Sequence, residues 1–166
     1  MTTDVEVRTP GSKGVDVYAR RSFENGEFIF RRHHGRVLTE TGIDLASEWD
    51  RAHLCELDRD RFAVLLPPGC YLNHASDPNA MRHGVNVFAW RPIEEGDELT
   101  VDYRLSAFGD DSAWPCDCGS ESCTGTVVGS FFAMEPDRQR LLLPHAPAFI
   151  RREHRTRKHR GDRPAP

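Results

Sequence analysis

The sequence predicts a mainly β domain built of several small sheets, and three observations carry that reading. Short runs of alternating or β-branched residues recur at close spacing. Turn signals containing glycine or proline separate them. A local pattern of strand, turn and strand occurs twice, 70 positions apart, at Arg21–Ile29 and Arg91–Leu99. Each copy has an apolar residue, an acidic residue, a glycine turn, and an acidic residue leading into a strand. Two copies define a pair of similar corners, not a solenoid.

The elements follow in order. Val5–Arg8 alternates as an edge strand. Gly11-Ser12-Lys13-Gly14 is a turn before a second alternating strand, Val15–Ala19. Phe28–Phe30 and Arg36–Leu38 are further short strands. Residues 41–54 form the best internal helix, with Thr41 and Asp44 resembling a capping box and Ile43, Leu45, Ala46 and Trp49 able to share one face. Phe62–Leu66 is a strand closed by Pro67-Pro68-Gly69. Val85–Trp90 and Glu98–Val101 are strands joined through Glu94-Glu95-Gly96. Pro136, at a helical first turn, leads into Arg138–Leu143, and past Arg151 the composition turns basic and low in complexity.

The chain has 166 residues, enough for one domain with a core and a tail. A hydrophobic fraction of 38% with 29% charged residues argues against wholesale disorder. No apolar run approaches the roughly 18 residues that span a bilayer. The N-terminal residues lack a basic region followed by an apolar one, so an intracellular location is expected, cytoplasmic if the source is bacterial. The net charge of −4 divides unevenly: 15 basic residues face 24 acidic ones over 1–150, and 7 face 2 over 151–166. An acidic body suits a basic protein partner. The basic end is expected to be solvated and flexible, and residues 151–163 are a candidate contact for nucleic acid. Only Lys13 and Lys158 are lysines.

Five cysteines without a secretory signal do not make a disulfide framework. Cys116, Cys118 and Cys123 form a C-x-C-x4-C cluster, and three thiolates that close suit a borderline-soft ion such as zinc. Cys70 and His74 have the look of a thiol–base pair, which nothing else in the sequence supports. His33 and His34 are adjacent, so on a strand they point to opposite faces.

Three polar segments occur in a fixed order: Asn73-His74-Ala75-Ser76-Asp77-Pro78-Asn79, then Gly96-Asp97-Glu98-Leu99-Thr100-Val101-Asp102-Tyr103, then the cysteine cluster. With the turn Lys13-Gly14-Val15-Asp16 ahead of them, they resemble the SET domain family of protein-lysine methyltransferases over roughly residues 5–130. The resemblance implies a β-clip-like fold of small sheets with short helices and a knot-like crossing of the Asn73–Asn79 and Glu98–Tyr103 segments. It divides the chain into a SET domain (5–106), a post-SET cysteine segment (107–130), a C-terminal helical extension (131–150) and a basic flexible tail (151–166).

It further implies that S-adenosylmethionine binds on one face and a protein lysine enters from the other. Tyr103 is then the catalytic residue, aligning the amine and the transferring methyl. Asn73 holds the methionine part of the cofactor, the backbone at His74 takes the adenine edge, and backbone around Val15 and Val17 adds contacts. An aromatic, Trp114 or Phe108, covers the adenine. Cys116, Cys118 and Cys123 are the implied metal ligands. A closed channel lowers the pKa of the amine by desolvation, so no strong general base is required. Val101 stands where the family often has Phe or Tyr, which leaves room for more than one methyl.

Three positions depart from the family pattern. Asp16 replaces a glycine, and its carboxylate could weaken cofactor binding, face solvent or meet the cofactor's ammonium. Ala75 replaces a serine. Ser76 replaces the cysteine that completes the zinc site, so the fourth ligand must come from Cys70, Asp77, His83 or water. Two other readings stand beside the enzyme: a SET-like binding module without turnover, and a nucleic-acid-associated protein acting through its basic end.

Overall fold

The computed structural model describes residues 4–9, 14–109 and 112–161, with side chains through Lys158. Within them the chain forms five small sheets and four α-helices. β1 (Val5–Arg8) and β2 (Asp16–Ala19) pair antiparallel. β3 (Phe28–Arg31), β9 (Asn86–Ala89) and β8 (Ala80–His83) form one three-stranded sheet in that order. β4 (His34–Thr39), β6 (Arg61–Leu65) and β5 (Leu54–Asp58) form the other. β7 (Asn73–His74) runs parallel to β10 (Thr100–Val101), and β11 (Ala113–Pro115) pairs antiparallel with β12 (Thr126–Val128). Of the turn expected over 11–14, only Gly14 lies among the described residues.

The repeated pattern has a structural cause, because the two copies pair with each other. Phe23 and Ile93 exchange both backbone hydrogen bonds, at 2.8 and 2.9 Å. Gly26 donates to Ala89 O and Ala89 to Glu27 O, while Gly96 donates to Ala19 O and Ala19 to Asp97 O. Every residue in the second set differs by 70 from its counterpart, so the corners are related by a local two-fold axis passing between Phe23 and Ile93. Each turn is closed by its own acid: Glu27 Oε2 accepts from Glu24 N at 2.9 Å and Asp97 Oδ2 from Glu94 N at 3.0 Å. Gly26 and Gly96 take φ of 83° and 93°, where a Cβ is disfavoured. Phe23, Ile93, Phe30, Leu99 and Val17 form the centre of the main core.

β7 and β10 come from segments about 27 residues apart and lie side by side with Thr100 opposite Asn73 and Val101 opposite His74. Asn79 locks this crossing. Its Nδ2 donates to Glu98 O at 2.8 Å and its Oδ1 accepts from Thr100 N at 2.9 Å. One side chain thus replaces the backbone partners that the two short strands do not supply.

One expectation is corrected. Residues 41–54 are not one helix. They form α1 (Glu40–Asp44) and α2 (Glu48–Ala52), followed by β5. Ser47 interrupts them, because its Oγ accepts from Asp50 N at 3.1 Å and starts a new helix. Leu45 is 91% exposed while Ala46 is buried, so the expected apolar face does not exist.

The described part of the basic end, residues 151–161, is helical. α4 spans Ala148–Gly161. Phe149 and Ile150 anchor it in a second core with Met81, Leu105, Phe131 and Leu142, joined by the helix α3 (Pro136–Leu142). Glu153 accepts from Arg157 one turn on, at 2.9 Å, and pairs with Arg59. Arg157 lies 3.9 Å above the ring of Phe132. Composition alone registers the arginines; it misses that the two residues before them are buried.

The two-fold corner concentrates stability. Phe23→Ala, which empties a fully enclosed site, is expected to cost about 3–5 kcal/mol. Phe28→Ala, at a ring 48% exposed, is expected to cost under about 1 kcal/mol. Urea unfolding midpoints of both variants check the contrast.

Candidate active site

Asp102 ends the β10 segment and is buried. Its carboxylate receives Arg104 through two hydrogen bonds, Nε to Oδ1 at 2.9 Å and Nη2 to Oδ2 at 2.8 Å. Arg138 from α3 approaches within 3.6 Å and His74 Nδ1 within 3.8 Å. Arg138 also donates to Ser76 O at 3.1 Å, which ties the C-terminal segment to the crossing. The next residue, Tyr103, donates its hydroxyl proton to Leu72 O at 2.7 Å. Burial raises the pKa of its phenol, with Glu98 adding to the effect and Arg82 opposing it.

Tyr103 and Trp114 stand in the wall between two cavities and line both. The larger, about 610 Å³, is bounded by Asp16, Asn73, His74, Glu98 and the cysteine loop. The smaller, about 260 Å³, is bounded by apolar Leu54, Leu65, Leu72 and Val101, with Cys55, Cys70, His53, Glu56 and Arg82. Arg82 is buried and its Nη2 donates to Asp102 O at 3.1 Å and Tyr103 O at 3.3 Å. Its Nε has no hydrogen-bond partner.

The larger cavity fits a cationic cofactor of nucleoside size, on two grounds. Its volume falls within the range of small-molecule sites. Asp16 and Glu98 put carboxylates on its wall. His74 also lines it, with a buried ring. Its Nδ1 accepts from Tyr103 N at 3.2 Å, and a backbone N–H can only donate, so the neutral ring carries its proton on Nε2. That Nε2 is buried and without a partner. Burial lowers the pKa of His74 and outweighs the attraction of Asp102, which keeps the ring neutral.

The hairpin β11–β12 carries the cysteines. The sulfurs of Cys116, Cys118 and Cys123 lie within 4.8 Å of one another, and among the described residues this is the only such group of metal-compatible side chains. Ser76 N donates to Cys118 Sγ at 3.4 Å and Asp77 N to Ser120 Oγ at 3.2 Å, so the loop docks at position 76. Burial works against ionisation of Cys118, but hydrogen bonds with Ser120 and Ser76 outweigh it and bring the thiol down to about 6. Burial, aided by the neighbouring sulfurs, pushes Cys116 up to about 11. The three thiols fit a borderline-soft cation, and the group contains no fourth protein ligand. Cys70 stands apart from them in the smaller cavity, its thiol pushed up to about 11 by burial, and neither Asp77 nor His83 joins the group.

The structure brings Asn73, His74, Tyr103, Trp114, Cys116 and Cys118 to one cavity wall. Val15 and Val17 are not in its lining. Val17 is fully buried and its carbonyl accepts from Leu99 N, while Asp16 between them takes the place at the cavity. Of the two aromatics weighed as a cover, Trp114 is the one at the cavity. Phe108 packs against Phe132 and under Arg59. Gly129 makes room for Trp114, since a Cβ there would meet the indole at 2.8 Å. Sequence reasoning missed Arg82 and Arg138, because isolated arginines in a chain rich in them carry no pattern.

The β scaffold thus crosses two segments beneath Tyr103, with a cavity on either side of it. Its family follows from comparison. The SET domain profile matches residues 14–104, and the chain belongs to the SET domain family. It is 32% identical over 149 residues to the Drosophila melanogaster histone-lysine N-methyltransferase ash1, covering 80% of this chain and 7% of that protein. It is 29% identical over 143 residues to the H3 lysine-36 specific enzyme of Eremothecium gossypii, covering 76% of this chain and 21% of that one. The chain therefore spans about a fifth or less of the length of these relatives. The methyltransferase domain of human SETMAR superposes with a TM-score of 0.58 at 21% identity, over 76% of this chain and 58% of that one, which shows a shared fold.

The depressed His74 pKa has a consequence for stability. Below the ordinary value of 6.5 the unfolded chain binds a proton that the folded chain does not. Stability present at pH 7.5 is therefore lost as pH falls through 6.5 toward the lower folded value. Thermal unfolding temperature is expected to drop between pH 7.5 and 5.5, and to drop less in His74→Gln, measured on both proteins at both pH values.

Proposed function

We propose that this chain is an S-adenosylmethionine-dependent protein-lysine N-methyltransferase. The observation that carries the reading is Tyr103 in the shared wall, between a cavity suited to a cationic nucleoside and an apolar one suited to an alkylamine. S-adenosylmethionine supplies, when bound, an electrophilic methyl on a sulfonium. The chain's own residues do the rest. Asn73, His74 and Trp114 hold the cofactor. Leu54, Leu65, Leu72 and Val101 exclude water from the lysine stem. Desolvation and the fixed charge of Arg82 both favour the neutral amine, which is the nucleophile. Tyr103, anchored on Leu72 O, orients that amine.

Neither Asp16 nor Ser76 argues for loss of turnover. Asp16 is bound to Asn73 and does not fill the cavity. The docking of the cysteine loop onto Ser76 is made by backbone. The relatives' names concern histone lysines, and an acidic body supports a basic protein as substrate here too. Residues 151–158 form part of α4, where Arg152 and Arg157 are paired with Asp58 and Glu153, which favours a packing role over nucleic-acid contact.

The cysteine cluster is proposed to hold one zinc through three thiolates, with its fourth position open to water. Ser76→Cys should complete the site and raise zinc affinity by more than about tenfold, read by competition with a chromogenic chelator.

The test of function is calorimetric titration of S-adenosylmethionine, followed by methyl transfer to histone H3 read by mass spectrometry. One-to-one binding that is lost in Asn73→Ala is expected. Tyr103→Phe should bind cofactor as the parent does but lose about 100-fold or more in turnover. The parent's product should extend beyond one methyl, because Val101 leaves space. A folded protein that binds no cofactor would refute the proposal.

A further inference from the structure

Asp16 sits where the family's N-terminal turn has a glycine, yet the structure gives it partners. It is buried, and its Oδ1 accepts from Asn73 Nδ2 at 2.7 Å. Glu98 Oε1 accepts from the same nitrogen at 2.9 Å. The Tyr18 hydroxyl donates to Asp16 Oδ2 at 3.4 Å. An amide side chain can usually be turned over without cost to the fit, because its two ends have the same shape. Here it cannot. Ionised carboxylates only accept, so both require the NH2 end of Asn73. The reversed amide would set its oxygen against two carboxylates at hydrogen-bond distance.

We propose that Asp16 is a positioning residue of the cofactor site, which with Glu98 fixes the amide of Asn73 so that its Oδ1 is presented to the ammonium group of the cofactor. The inference rests on the cofactor reading above and deepens it. Asp16, Asn73 and Glu98 line the same cavity. Among the described residues neither carboxylate is ion-paired, so the wall carries negative charge that a cation can neutralise. His74 lines the same cavity. The aspartate at the glycine position is thus not damage to the motif. It orients the asparagine and adds selectivity for a ligand with a positively charged amino-acid tail.

The experiment is calorimetric titration of S-adenosylmethionine, S-adenosylhomocysteine and 5′-methylthioadenosine into the parent, Asp16→Asn and Asp16→Gly. The last ligand lacks the amino-acid portion. Thermal unfolding of each apo protein accompanies the titrations. Asp16→Asn keeps the size but removes the charge and leaves Glu98 alone to fix the Asn73 amide. Both variants are expected to weaken the two ammonium-bearing ligands by about tenfold, the range of a hydrogen bond to a charged group, and to leave 5′-methylthioadenosine within about twofold. Equal or tighter binding of S-adenosylmethionine by either variant overturns the inference while leaving the cofactor reading intact. A parallel loss for all three ligands overturns it too, since a merely structural role does not discriminate among them. A folded parent that binds none of the three overturns the cofactor reading and this inference with it.

Discussion

The buried carboxylate of Asp102 is the constraint on which the rest of the site depends. A lone carboxylate in that position would be costly, and it is retained because several groups converge on it. Arg104 binds it through two nitrogens, and Arg138 reaches it from α3. These partners belong to two separate stretches of chain. Satisfying one acid therefore ties the tyrosine that follows it to the helix that closes the C-terminal segment, and Arg138 carries the link on to Ser76 O. The second core then makes the arrangement rigid, because Leu105, Met81 and Phe131 pack just beyond it.

The two cavities that meet at Tyr103 differ in character. One carries the carboxylates of Asp16 and Glu98. The other combines Leu54, Leu65, Leu72 and Val101 with His53, Glu56 and the buried guanidinium of Arg82. The difference arises from strand alternation. On β10, Thr100 faces the polar cavity and Val101 the apolar one, with Asp102 and Tyr103 continuing the segment. Among the described residues no helix is long and apolar enough to cross a membrane.

Much of this was legible in the chain. Alternating runs and glycine turns marked β1, β2, β3, β6 and β9 within a residue or two. The spacing of the cysteines marked a cluster whose sulfurs do converge. The repeat at 70 residues was visible as pattern. Its meaning was not, because a pairing between copies is a long-range contact that no local signal encodes. The break between α1 and α2 was missed since Ser47 can be read equally as a helix surface residue or as a cap. The helical course of the basic end was missed since its stability comes from Phe149, Ile150 and a ring beneath Arg157, not from its own composition.

The sequence by itself determined the class of fold, the order of its motifs and the residue types available for chemistry, because these depend on periodicity, turn preference and donor identity along the chain. Only the tertiary structure decided which of them meet. It placed Asp16 at the cavity in place of its valine neighbours, turned the amide of Asn73 by setting two carboxylates against it, and brought Arg82 and Arg138 to Asp102 and Tyr103. Those outcomes follow from burial and hydrogen-bond satisfaction across segments tens of residues apart, and no property of a single segment contains them.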